Sequence, residues 1–112
     1  MSSSPNETLR RKRSEALDEA RARSVSFKDG SLVVGLADGR SVSVPLEWFP
    51  RLVEATVAER KHWELDGDGA AIWWPDLDDG VEVSHLLLGW RSGESKASLK
   101  RWLEARKARK AS

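Results

Sequence analysis

Two Asp-Gly pairs, Asp29-Gly30 and Asp38-Gly39, interrupt an alternation of apolar and polar residues that runs from Val25 to Val44. Alternation with a period of two puts one set of side chains on one sheet face, so the turns must hold that set in register. With Asp29-Gly30 as a two-residue type I′ turn, Phe27 faces Leu32 and Val25 faces Val34. The same geometry at Asp38-Gly39 would set Leu36 against Ser41 and Val34 against Ser43. A three-residue loop, Ala37-Asp38-Gly39, instead pairs Val34 with Val42 and Leu32 with Val44, keeping one apolar face continuous. The two similar turns are therefore expected to differ, with a left-handed glycine bulge at Gly39.

Pro45 closes the third strand. Leu46, Phe49, Leu52 and Val53 then recur at helical spacing, with Pro50 placed at a helix start. Thr56-Val57-Ala58-Glu59 has a capping-box pattern, which predicts a second short helix carrying Glu59, Arg60 and Lys61 outward. Strand character returns with Trp63 and Leu65 pointing inward. Asp66-Gly67-Asp68-Gly69 then serves as a four-residue hairpin loop, and Ala70, Ile72 and Trp74 continue the same face. Trp73 points the other way. Pro75 to Gly80 reads as an acidic loop, Val81 and Val83 as a last strand, and Ser84 as the cap of a helical turn from His85 to Leu88 stopped by Gly89.

Helical extensions are expected on both sides. Ser4 is placed as an N-cap, Pro5 at the first helical position and Glu7 to complete a capping box. The apolar positions that follow, Leu9, Ala16, Leu17 and Ala20, form a thin stripe, so this helix should fray or dock loosely. After Ser92, Ser95 caps a basic amphipathic helix from Lys96 that presents Leu99, Trp102 and Leu103 on one side. The expected fold class is α+β: a small antiparallel sheet built from hairpins, with short helices on one face and N- and C-terminal helical extensions. The chain divides into an N-terminal helical extension (1–23), an α+β domain (24–90) and a basic C-terminal helix and tail (91–112).

Charge is segregated along these divisions. A net charge of +1 for 112 residues conceals +2 in residues 1–23, −7 in 24–90 and +6 in 91–112. Basic ends on an acidic body can settle on that body, on an acidic partner or on nucleic acid. The absence of cysteine excludes disulfides, thiol catalysis and thiolate metal sites, and suits a reducing compartment. Met1 to Pro5 leads into charged residues rather than an apolar run, and Leu86-Leu87-Leu88 is far too short to span lipid. A cytoplasmic location is expected.

No reaction is legible. His62 and His85 lack a second histidine at ligand spacing, and adjacent Ser84 and His85 do not face one another at a helix start. Asp66-Gly67-Asp68 begins like a calcium loop, but Ala70 and Leu77 occupy positions where ligands would stand. The acidic turns lack the lysine of a phosphate-cradling loop. The expectation is a non-enzyme without a metal or cofactor.

The series Leu36-Ala37-Asp38-Gly39-Arg40, Val44-Pro45-Leu46, Phe49-Pro50-Arg51-Leu52, Ala55-Thr56, Glu59-Arg60, Trp63, Ile72-Trp73-Trp74-Pro75-Asp76-Leu77-Asp78 and Leu86-Leu87-Leu88-Gly89 resembles the small bacterial domain-of-unknown-function family 2442. The order and spacing of these motifs carry the resemblance, which covers about residues 24–90. It implies a small α+β domain of antiparallel strands and short helices with no established catalytic site. Members often lie beside another small protein in arrangements like toxin-antitoxin modules, which implies a protein-binding or antitoxin-like role. Asp79-Gly80-Val81 departs from the family pattern, in which an acidic residue leads directly into the strand, and both basic ends lie outside it.

Two functional surfaces follow. Six tryptophans are a heavy aromatic load; Trp63 and Trp74 alternate with core positions, whereas Trp48 and Trp73 emerge as candidate protein anchors, joined by Trp102 and Arg101 of the C-terminal helix. The alternative for the outer sheet face is burial beneath a terminal helix. Lys96, Lys100, Arg101, Arg106, Lys107, Arg109 and Lys110 are candidate nucleic-acid contacts, opposed by the acidic body and by the lack of a DNA-binding motif. The leading expectation is an interaction domain binding a small protein encoded nearby; the alternative is nucleic-acid binding through the basic terminal helices.

Overall fold

A computed structural model of the chain describes residues 5–111. In chain order it contains α1 (Pro5–Glu19), β1 (Ala22–Lys28), β2 (Ser31–Leu36), β3 (Ser41–Pro45), α2 (Pro50–Val53), α3 (Val57–Lys61), β4 (Glu64–Asp66), β5 (Ala71–Trp74), β6 (Asp79–Glu82), α4 (Val83–Leu88) and α5 (Lys96–Ala111). Short 3-10 turns at Leu46–Trp48, Gly67–Gly69 and Pro75–Leu77 link them. The architecture is α+β, and its antiparallel strands divide between two three-stranded sheets, β1-β2-β3 and β4-β5-β6. Among the described residues no helix is long and apolar enough to cross a membrane.

The first sheet has the register demanded by its apolar alternation. Val25 pairs with Val34 and Phe27 with Leu32 across Asp29-Gly30, both of which have positive φ as a type I′ turn requires. Beyond β2, Val34 pairs with Val42 and Leu32 with Val44. The loop between them is Ala37-Asp38-Gly39: Leu36 bonds to Arg40, and Gly39 sits at φ 95°, which a side chain would strain. Leu32, Val34, Leu36 and Val44 are consequently buried together in the core.

The second sheet departs from expectation in its turns. The β4–β5 loop is Gly67 to Ala70, one residue later than the Asp66–Gly69 loop, so Leu65 pairs with Ile72 and Asp66 with Ala71. Asp66 accepts the Gly67 N–H, and Asp68 takes a left-handed conformation, closing the turn locally. Ile72 is buried, whereas Leu65 on the short edge strand remains exposed rather than inward. The β5–β6 loop is shorter than the expected Pro75 to Gly80. A turn over Pro75–Leu77 ends at left-handed Asp78, so Asp79 and Gly80 already belong to the ladder, opposite Trp74 and Trp73. Val83 donates its N–H to Ala70 while starting α4, which makes Glu82 the cap in place of Ser84. Gly89 stops that helix in a left-handed conformation.

Helices complete the core. Pro50 begins α2, which buries Leu52 but is too short to bring Val53 inward. Ser95 caps α5 by accepting the Ser98 N–H, and α5 places Trp102 in the same core as Phe49, Leu52, Trp74 and Leu86. The α1 helix packs on α4, with Leu17 half-buried and Leu9 exposed. Its expected cap at Ser4 lies outside the described residues, as does the side chain of Glu7.

Candidate functional site

The outer face of the second sheet is built around Trp73. Because Trp74 and Ile72 face the core, their neighbour on the strand must face out. Trp73 is 37% exposed, and its indole lies so close over Gly80 that a Cβ there would come within 2.8 Å of ring atom Cε3. Glycine at position 80 thus lets the ring lie flat on the neighbouring strand, as aromatic side chains do when they cover a glycine in a sheet. The ring above it accounts for the glycine of Asp79-Gly80-Val81.

A cleft of about 470 Å³ opens beside this ring, with Trp90, His85, Glu82, Asp79 and Arg91 among its walls. Trp90, 55% exposed, sits after the Gly89 stop, its N–H bonded to the His85 carbonyl and its ring 4.7 Å from the imidazole. His85 Nε2 lies 3.2 Å from Glu82 Oε2. Arg91 stacks over the half-buried Trp48, 5.0 Å from its ring centroid, and Ser92 donates its N–H to the Trp48 carbonyl. Burial pushes the Asp79 carboxyl above its ordinary range, against the bond it accepts from Gly80. The face therefore combines fixed aromatic rings with a mixed polar rim.

The candidate residues on α5 separate into two groups. Trp102 is only 9% exposed, with the guanidinium groups of Arg51 and Arg106 over its ring at 5.0 and 4.6 Å. Arg106 forks onto Glu59, both bonds at 2.9 Å, while the same carboxylate accepts the Thr56 N–H at 2.8 Å. Glu59 thus completes the capping box of α3 and anchors α5 at once, instead of pointing outward as the local pattern suggested. The Arg106 charge and these bonds hold its carboxyl down at about 2. Arg60 also turns inward, donating to the carbonyls of Leu52 and Val53. At the other end of α5, Arg51 bonds Glu94, which accepts from the Ser98 hydroxyl.

Lys96, Lys100, Arg101, Lys107 and Arg109 are exposed, and the side chain of Lys110 lies outside the described residues. The structure brings neither Arg101 nor Trp102 to the cleft beside Trp73. Trp90, which the local pattern did not single out, belongs to that face; its position directly after a helix-stopping glycine was the available signal.

The two histidines have separate carboxylate partners. His62 Nδ1 is 2.8 Å from Asp76 Oδ2, and that neighbour raises the imidazole pKa; both groups are solvent-exposed. Among the described residues no group of three or more His, Asp or Glu side chains is arranged to hold a metal ion.

These strands, turns and short helices define a small α+β domain with an exposed aromatic face, and the comparisons place it. The family described as protein of unknown function (DUF2442) matches residues 22–92, and the chain belongs to that family. No curated protein matches the chain. Two solved structures share its fold. A protein of unknown function from Rhodospirillum rubrum, solved by crystallography, superposes with a TM-score of 0.59 at 23% identity, covering 72% of this chain and 98% of that one. An uncharacterized protein from Chromobacterium violaceum, solved by NMR in solution, gives a TM-score of 0.60 at 24% identity, covering 90% of this chain and 96% of that one. The latter coverage extends past the family segment into the terminal helices.

Proposed function

We propose that the chain is a non-enzymatic protein-interaction domain of the bacterial cytoplasm, antitoxin-like in binding a small protein encoded beside it. The observation that carries this reading is the uncovered aromatic pair: Trp73 fixed on Gly80 and Trp90 packed against His85, both open to solvent beside one cleft. Rigid, partly desolvated tryptophans lose little freedom on docking and recur as anchors of protein interfaces, whereas carboxylates and Arg91 supply a polar rim. A tagged chain co-expressed with the product of the adjacent gene should recover it. Trp73→Ala should then weaken the complex at least about tenfold while the chain remains cooperatively folded, as expected of an anchor. Failure of the wild-type chain to capture that product would sink the reading.

A second reading places nucleic acid on α5, supported by the exposed Lys96, Lys100, Arg101 and Lys107. The packing of Trp102 and the pairing of Arg106 remove a stacking ring and a cation from that surface. Titration of generic duplex and single strands at increasing salt separates the two: affinity that persists at physiological salt supports nucleic-acid recognition.

A further inference from the structure

Strand β1 leaves an edge open. It is the longest described strand, it lies at one side of the first sheet, and β2 is its only partner. The opposite edge strand, β3, ends in Pro45, which lacks an N–H to offer. Across a two-residue turn Lys28 and Ser31 form the hydrogen-bonded pair, so in the alternating ladder Phe27 and Val25 turn their N–H and C=O groups away from β2. Among the described residues no other segment bonds to those groups.

Directly beside this edge runs a groove of about 390 Å³ walled by Val25, Phe27, Val57, Trp63, Arg60 and Lys61. Val57, on the first turn of α3, is 64% exposed. The wall holds two cations and no carboxylate, within a body whose net charge is −7. Of the other body cations, Arg40 is paired with Asp38 and Arg51 with Glu94, while Lys28 lies on β1 itself. Arg60 is fixed by two backbone carbonyls and lies over Phe27, 5.9 Å from its centroid, so this side of the groove is formed before any ligand arrives.

We propose that the β1 edge and this groove bind an extended acidic protein segment, which adds to the first sheet as a fourth strand. Its backbone bonds to Val25 and Phe27, alternate apolar side chains enter between Phe27, Val57 and Trp63, and its carboxylates meet Lys61. Strand addition takes affinity from main-chain bonds and specificity from pockets for alternate side chains, and both are present here. Charge selects the occupant. β1 carries Arg23 and Lys28 and no acidic residue, so a second copy of β1 brings like charges together while an acidic strand is attracted.

The test uses the full chain, isotopically labelled, titrated with an acetylated peptide of about eight residues alternating glutamate and valine, a typical strand length. A lysine-valine peptide serves as the control. The acidic peptide should slow amide exchange at Val25 and Phe27 and shift the indole N–H resonance of Trp63. Lys61→Glu should weaken it on the order of fivefold, as reversal of one surface charge does. Val57→Asp should weaken it further, and Trp73→Ala should leave it unchanged, which separates this site from the cleft on the other sheet. Absence of binding at millimolar peptide, equal binding of the lysine peptide, or saturation without protection of Val25 and Phe27 would each overturn the proposal.

Discussion

The terminal helices α1 and α5 are alike in sequence character and opposite in structural weight. Both are rich in cations and carry only a thin apolar stripe. Yet α5 inserts Trp102 into the core and is tied by Arg106 to Glu59 and, through Glu94 just before its start, to Arg51. The α1 helix packs on α4, with Leu17 half-buried, and leaves Leu9 half exposed. One large ring with ion pairs to the distant α2 and α3 segments makes an appendage part of the fold; amphipathic spacing alone does not. The family-matched segment, residues 22–92, stops before α5 begins, so in this chain the core is completed from outside that segment.

The sharpest way to break this contrast is Trp102→Ala. Truncating a buried tryptophan removes its transfer energy and leaves a cavity, a loss of about 3–5 kcal/mol against a domain stability of roughly 5–15 kcal/mol. Urea unfolding should show a much lower midpoint, and Trp102→Phe should recover part of it. A loss below about 1 kcal/mol would mean that α5 is held no better than α1, since only exposed or loosely packed sites respond so weakly. A deletion beyond Gly89 would confound fold and function for the same reason; point changes at Trp73 are the cleaner probe of the aromatic face.

Next in size is Glu59→Gln. With the folded carboxyl at about 2 against an ordinary 4.5, the charged pair supports folding by on the order of 2–3 kcal/mol at neutral pH. The carboxyl pKa is depressed in the folded state, so this contribution is complete above the unfolded pKa and disappears as pH falls from about 4.5 toward 2. Urea midpoints of wild type and Glu59→Gln should therefore lie apart at pH 7 and converge on acidification. Using the difference isolates Glu59 from Glu94, which Arg51 also holds low, and from Asp79, which burial shifts the other way. A pH-independent difference would deny the ion pair its role in fixing α5.

The first sheet was legible because every constraint in it is local: an apolar alternation with two turns admits one consistent register, and Gly39 follows from it. Caps at Thr56 and Ser95 were readable for the same reason. The β6 start was not, because Asp79 and Gly80 look like turn residues until Trp73 is seen resting on the glycine. Nor was the true role of Glu59, whose cap signature is complete without Arg106, 47 residues away. In the candidate site, the outward direction of Trp73 came from alternation, whereas Trp90 entered through a helix stop that only the fold positions beside the cleft.

The smallest effect tests the other side of the contrast. Leu9 is exposed in α1, so Leu9→Ala removes little buried surface, and alanine favours the helix slightly more than leucine does. The expected change is within about 0.5 kcal/mol, the range of ordinary surface substitutions. Leu17→Ala, at a half-buried position of the same helix, should exceed it while remaining well short of Trp102→Ala. Hydrogen exchange adds an independent reading, because a helix held by few buried contacts opens locally without global unfolding. Amides of α1 should exchange well before those around Trp102. A Leu9 substitution that lowered the urea midpoint as much as Leu17→Ala would place a stabilising contact along the outer turns of α1 and erase the asymmetry between the two helices.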